Sequence, residues 1–365
     1  MSAEAILVVA LIAVGAICVG LVALTVTARI ARRRRDRRLQ ALSAPHRLLL
    51  LRVASGEDDD HEALDQLTAL TPDEWVGVRP AVFGLLGKVR GAPADALISV
   101  IRERGEVDRA RTKLSARSRV RRARAAHLLG LVRDAASVPG LVGLLDDPDE
   151  DVRVVSARSL GRIGDATAAV PVLRAAGPRT GASGGLPGLP AWIAAEVLLA
   201  LGEEAAGAVE EGVRSTDPVV RSVAVTVATH GVLPGAVDLA RDRIATEPDH
   251  DVLGAMVDCL GRVGGAEDAR LLLGLTRAGT APGLRRQAVR ALGSLGGPAA
   301  ATRLGELLSD DDRATAVVAA EALVEMGPAG TAVLHEERRR HPRTGRVVSA
   351  ALHLAGLRGG LRPAS

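Results

Sequence analysis

The chain has 365 residues, 47% hydrophobic and 25% charged, with a formal net charge of +4, a balance that folds rather than stays disordered. Trp75, Phe83 and Trp192 are the only aromatic residues, which excludes functions built on stacking, such as a sugar platform or an RNA-binding sheet. Cys18 and Cys259 are the only cysteines, too few for a disulfide framework or a cysteine zinc site.

Residues 5–28 are an uncharged run rich in Ile, Leu, Val and Ala. A bilayer core of roughly 30 Å takes about 20 helical residues at about 1.5 Å each, so the run is long enough to span. Glu4 is the only charged side chain before it; Arg29, Arg32, Arg33, Arg34, Arg35, Arg37 and Arg38 follow, interrupted by Asp36. That order reverses a secretory signal. Under the positive-inside rule it sets the N-terminus outside and everything after the run in the cytoplasm. The expectation is a transmembrane helix in 1–28 and a basic juxtamembrane segment in 29–38, hence a single-pass protein of the cell membrane. Seven Arg against Glu4 and Asp36 make residues 1–38 net +5, so the whole-chain +4 leaves residues 39–365 at −1. No basic face for nucleic acid is expected on such a body.

Residues 39–118 form a helical N-terminal cap region in this reading. His46 to Val53 starts a short apolar helix, and Glu57-Asp58-Asp59-Asp60 reads as a solvated acidic turn. Thr71-Pro72-Asp73-Glu74 is a capping box opening a helix through Trp75, Val78, Val82, Phe83, Leu85 and Leu86. Trp75 and Phe83 are read as core residues there. Gly91-Ala92-Pro93 breaks to a further helix, Ala94 to Glu103. A cap is physically required, since the first layer of a stacked array otherwise exposes its apolar face.

Residues 119–357 repeat. An amphipathic helix ends in an apolar residue followed by Gly at Gly130, Gly161, Gly202, Gly231, Gly261, Gly293, Gly327 and Gly356. The period is about thirty, the sign of a solenoid. Leu284, Ala288, Ala291, Leu292 and Leu295 mark one buried helical face. Gly293 then reads as a C-terminal cap, and Leu304, Leu307 and Leu308 mark a shorter second helix. Asp147-Pro148, Asp217-Pro218 and Asp310-Asp311-Asp312 read as helix starts, with Asp147 as an N-cap. The fold class expected is all-α: an N-terminal transmembrane helix followed by an α-solenoid of helical hairpins.

Asp151-Val152-Arg153, Ser156-Ala157-Arg158-Ser159-Leu160-Gly161 and Ala169-Val170-Pro171-Val172-Leu173 resemble a short bacterial HEAT repeat of the phycobilisome-lyase-like type, as do Arg121 to Gly130 and Leu284 to Gly293. The resemblance implies that Arg153, Arg221 and Arg285 form a ladder between neighbouring repeats; Leu253 stands where Arg would be. It extends to membrane-anchored HEAT proteins that partner membrane glycosyltransferases in cell-surface polysaccharide systems, which implies a protein partner and a scaffold role.

The long spacing between Gly161 and Gly202 comes from a Gly/Pro-rich insertion at 177–190. Insertions in solenoids map to one face, often the binding face; a tolerated surface loop is the equal alternative. Trp192 follows directly and is a candidate for a partner surface. So are Arg338, Arg339 and Arg340, expected in a basic patch between the last two helices. The final helix carries Val347, Val348, Ala351, Leu352 and Ala355, before a tail at 358–365.

No catalytic set emerges. His61-Glu62 and His335-Glu336 resemble the His-Glu pairs of the HEAT-repeat di-iron hydroxylase, which uses several such pairs facing one another. There is no Gly-rich phosphate loop with its Lys and no Gly-x-Ser-x-Gly elbow. Cys259 reads as a buried small apolar residue. The expectation is a non-enzymatic scaffold with no cofactor, no metal and no small-molecule substrate; a bilin-lyase-like or hydroxylase-like enzyme is the alternative.

Overall fold

The computed structural model describes residues 20–23, 25–27, 29–30, 41, 44–58, 60–178, 188–340 and 345–360. Every regular element among them is a helix. The described residues between 20 and 30 are helical and include Arg29. Most of the expected span, together with Arg32, Arg33, Arg34, Arg35, Arg37 and Arg38, lies outside the described residues. Among the described residues no helix is long and apolar enough to cross a membrane. The chain divides into two compact units, Met1–Thr112 and Lys113–Ser365.

The first unit holds α1 (Arg47–Ser55), α2 (Glu62–Ala69), α3 (Pro72–Leu86), α4 (Ala92–Glu103) and the start of α5 (Glu106–Lys113). Thr71 and Glu74 form the expected capping box of α3. Its core includes Leu50, Leu67, Val78, Val82, Leu97 and Ile101. Trp75 is buried as expected, whereas Phe83 is half-buried. Trp75 Nε1 donates to the buried Glu106 carboxylate at 2.9 Å, which Arg109 also reaches at 2.9 Å. The Arg104 guanidinium lies over the same indole, 5.0 Å from its centroid. The acidic turn is not uniformly solvated. The Asp58 carboxylate is buried because it accepts the Ala63 and Leu64 N–H groups at 3.0 and 2.9 Å, closing the open end of α2.

The second unit alternates long first helices with shorter second helices. The first helices are α6 (Arg119–Leu131), α8 (Glu150–Ile163), α10 (Ala191–Leu201), α12 (Pro218–Gly231), α14 (His250–Val263), α16 (Pro282–Leu295), α18 (Arg313–Glu325) and α20 (Gly345–Gly360). The second helices are α7 (Val138–Gly143), α9 (Ala169–Ala175), α11 (Ala206–Val213), α13 (Pro234–Arg243), α15 (Ala269–Leu275), α17 (Pro298–Leu307) and α19 (Pro328–Arg340). Each first helix packs on the next first helix, and the second helices back them. Leu284, Ala288, Ala291 and Leu292 are buried as their periodicity requires. The stack closes on a cluster of Leu304, Leu307, Ala319, Leu323, Leu334 and Val348.

Four of the marker glycines do not cap their helices. Gly130, Gly161, Gly261 and Gly293 lie inside their helices. A Cβ on Gly130 would sit 2.6 Å from Ser159 Cβ, one on Gly261 2.7 Å from Ala291 Cβ, and one on Gly293 2.6 Å from Ala322 Cβ. Each distance is far below van der Waals contact, so glycine is what lets consecutive first helices approach. The left-handed turns fall three residues further on, at Arg133, Gly164 and Gly296. Gly202 and Gly327 do take positive φ at the ends of α10 and α18. Asp147 is likewise not the N-cap of α8: Asp149 is, accepting from the Val152 N–H. Asp217 and Asp312 cap α12 and α18.

This seam makes a contrast testable by thermal denaturation. Gly261→Ala overpacks against the α16 backbone and is expected to cost about 1–3 kcal/mol. Gly283→Ala, where nothing lies within 4 Å of the added carbon, is expected to be neutral or to stabilise by up to about 1 kcal/mol, since Ala is the better helix former. Equal melting shifts for both variants would refute the close-approach role.

Candidate interaction surface

One edge of the second unit is set by arginines at the fourth position of four first helices, α6, α8, α12 and α16. Arg221 is buried. Its Nε and Nη2 donate to the Glu247 carboxylate at 3.0 and 2.6 Å, and its Nη1 donates to the Ser215 and Thr216 carbonyls at 3.1 and 2.9 Å. Arg285 repeats the arrangement, donating to Thr276 O at 2.8 Å and to both oxygens of Asp310. Arg153 is buried with Nη1 on the carbonyls of Asp147 and Pro148 at 2.9 and 3.4 Å. In the turn one repeat further on stands the Gly/Pro insertion, part of which lies outside the described residues.

The structure adds Arg122, which donates to both oxygens of Asp147 at 2.6 and 2.8 Å and to the Ala116 and Arg117 carbonyls. Arg122, Arg221 and Arg285 thus each join the turn before their own helix to an acid in the next turn. Asp147, Glu247 and Asp310 each also accept the N–H two residues on, at 2.9, 3.0 and 2.9 Å. Each acid therefore acts twice, folding its own turn and receiving the neighbour's arginine. The signal was available as an acid-x-Asp triplet before α8, α14 and α18, 25 or 26 residues after its arginine.

The fields at these acids follow from that geometry. Burial pushes the Glu247 carboxyl up, but the bonds from Arg221, Arg243 and the Asp249 N–H outweigh it and hold it below its usual range. Asp268, buried under Arg241 and bonded to the Gly265 N–H, is lowered against burial in the same way. Burial raises the Cys259 thiol, which sits in the core as expected.

Trp192 stands at the start of α10, 63% exposed. The Arg158 guanidinium lies over its ring, 5.2 Å from the centroid, and is itself bonded by Nε and Nη2 to Glu196 at 3.2 and 3.1 Å. The contact links the exposed indole on α10 to an arginine of α8. The described ends of the insertion are pinned beside it. Leu189 is buried, and its N–H donates to Ala175 O at 2.6 Å. Gly188 passes so near the Gly177 carbonyl that a Cβ would fall 2.2 Å from that oxygen. Ala176, Pro178, Leu189, Pro190, Pro218 and Val219 help line a cavity of about 410 Å³ at this edge. Residues 179–187 lie outside the described residues.

Arg338, Arg339 and Arg340 form the last turn of α19 rather than a connection between helices. Arg339 and Arg340 both pair with Glu336, whose carboxyl they hold below its usual range. Helical spacing therefore neutralises part of that patch. His341 lies outside the described residues. Of the two His-Glu pairs, His61 and Glu62 are in the first unit and His335 and Glu336 in the second. Among the described residues no group of three or more His, Cys, Asp or Glu is placed to hold a metal.

Residues 107–179 match the family model of HEAT repeats, and residues 284–310 match that of the PBS lyase HEAT-like repeat; these matches support a HEAT-repeat protein. No curated protein matches the chain. Among solved structures the chain is similar to a mutant of Kap121p, at TM-score 0.53 and 10% identity, covering 79% of this chain and 37% of Kap121p. The chain thus spans well under two thirds of that protein, and the likeness is one of fold. Structures of YibA from E. coli (TM-score 0.36, 14% identity, 81% and 96% of the two chains) and of CpcE and CpcF of phycocyanin lyase from Nostoc sp. (0.26, 21%, 70% and 92%) also match.

The Arg221–Glu247 pair yields a pH test. Folding lowers the Glu247 pKa, so its contribution is complete above the unfolded-state value of about 4.3 and is lost as pH falls through the lower folded-state value. Arg221→Met leaves the carboxylate buried without its main partner and is expected to cost about 3 kcal/mol at neutral pH. It also leaves burial as the dominant influence, so the acid-side loss shrinks or reverses. Urea melts of both proteins across the carboxylate range measure this; parallel pH profiles would refute the assignment.

Proposed function

We propose that the chain is a non-enzymatic scaffold, tethered to the cell membrane by residues 5–28 with its N-terminus outside and its HEAT-type repeats in the cytoplasm. The observation that carries the scaffold reading is Trp192. A large apolar ring at 63% exposure offers apolar area to a partner, and the Arg158 guanidinium, paired with Glu196, lies over it. Trp and Arg are the residue types that concentrate binding energy at protein interfaces. Stacked helical pairs present such residues on a rigid extended face. The tether rests on the uncharged run and the arginines after it. That location makes a membrane enzyme, such as a glycosyltransferase, the fitting class of partner.

Two measurements test this. A photoreactive residue replacing Trp192 in intact membranes is expected to crosslink to one discrete protein, whereas the same probe at Arg214 is not. A broad smear from both positions would count against a partner surface. Reporter domains fused after residue 365 are expected to show cytoplasmic activity only. Iron or a chromophore bound by the purified chain would replace the scaffold with the enzyme alternative.

A further inference from the structure

Further along the exposed face of the first-helix layer, α12, α14 and α16 enclose a groove of about 650 Å³. Its floor includes Ala255, Gly261 and Ala291. The groove has a cause in the packing: Gly261 and Ala291 are the small residues at which α14 and α16 approach, so no side chain rises from the floor. Its rim carries His230, Asp258, Arg262 and Arg290, all exposed.

The rim is electrostatically unbalanced. Some arginines of the first helices have carboxylate partners: Arg158 pairs with Glu196 at 3.1 Å, and Arg119 with Asp149 at 2.7 Å. Arg262 and Arg290 form no ion pair at hydrogen-bond distance among the described residues. Asp258 is the only carboxylate lining the groove. Desolvation pushes that carboxyl up despite the pull of Arg290 and Arg262. His230 Nδ1 lies 2.9 Å from the Thr226 carbonyl. A carbonyl only accepts, so Nδ1 carries the proton, and Nε2 is the nitrogen left for a ligand.

We propose that this groove binds an acidic peptide segment of the partner protein, with one carboxylate side chain held between Arg262 and Arg290. The proposal rests on the scaffold reading and names the chemistry of the partner. Two guanidinia against one carboxylate leave one positive charge unmatched, and guanidinium forks suit carboxylates in planar, bidentate geometry. The volume exceeds what a lone anion needs and falls within the range of ligand sites. The shallow floor of small residues admits a peptide backbone with short side chains.

The test uses the full chain in detergent and two labelled octapeptides, one alternating Glu and Ala, the other with Gln for every Glu. Fluorescence anisotropy is expected to show the Glu peptide binding and the Gln peptide weaker by about tenfold or more, the loss of a charge-assisted bond. Arg290→Glu is expected to weaken the Glu peptide by a similar factor, and Arg214→Glu, at an exposed position outside both the groove and the Trp192 surface, to leave it unchanged. Arg262→Gln gives the same reading if Arg290→Glu fails to fold. Equal binding of both peptides, or binding indifferent to Arg262 and Arg290, overturns the proposal. So does binding to phosphatidylserine vesicles that needs Arg290 when neither peptide binds. The crosslink at Trp192 separates the two ideas. A discrete partner there, with no response to the groove variants, sinks the groove alone. Loss of that crosslink from wild-type membranes, with the peptide still bound, sinks the scaffold reading.

Discussion

The near-contact of one first helix with the next is the constraint from which the second unit follows. Where Gly130 faces Ser159, Gly261 faces Ala291 and Gly293 faces Ala322, the helices approach closer than any Cβ on the glycine permits. Dispersion falls off steeply with separation, so small residues at the crossing turn a loose row of helices into a packed layer. The leucines and valines on either side, Leu129, Leu160, Val257, Leu260, Leu292 and Leu323, are then buried from both sides. Each such side chain contributes about 1.5–3 kcal/mol when fully buried.

Packing alone leaves the helices free to slide along their seam. The arginine ladder removes that freedom at one edge. Arg122, Arg221 and Arg285 each hold a turn behind and an acid ahead, which ties the register of one repeat to the next. The Glu247 carboxylate remains charged although buried because guanidinium and N–H donors satisfy it. Such pairs add specificity more than raw stability, since desolvation offsets much of their attraction.

The exposed face of the same layer is where a partner is proposed to bind. Trp192 and the groove between α12, α14 and α16 both lie on first helices, and the small seam residues form the groove floor. The packing device and the proposed recognition device therefore share Gly261 and Ala291. The Gly/Pro insertion sits in a turn at the ladder edge, with its described ends pinned through Leu189 and Gly188. A solenoid tolerates such an addition because each repeat depends only on its neighbours.

The thirty-residue period, the two helices within it, the capping box at Thr71 and the buried stripe of α16 are all legible in the amino-acid order, because helical periodicity and capping are local effects. Arg221 and Arg285 are legible as ladder residues only through a family resemblance, which names Arg153 with them; Arg153 bonds to the turn before its own helix. Arg122 and the acids Asp147, Glu247 and Asp310 escape a sequence reading, because each partner lies 25 or 26 residues away and only stacking brings the two together. The marker glycines read as caps, since sequence reports that a helix is ending but not what stands beside it. Tertiary structure alone decided that Gly130, Gly261 and Gly293 serve close approach, that Arg338 to Arg340 end a helix beside Glu336, and that His230, Asp258, Arg262 and Arg290 rim one groove. Charge and helical phase belong to the chain by itself; which side chains from separate repeats face one another depends on how closely their helices pack.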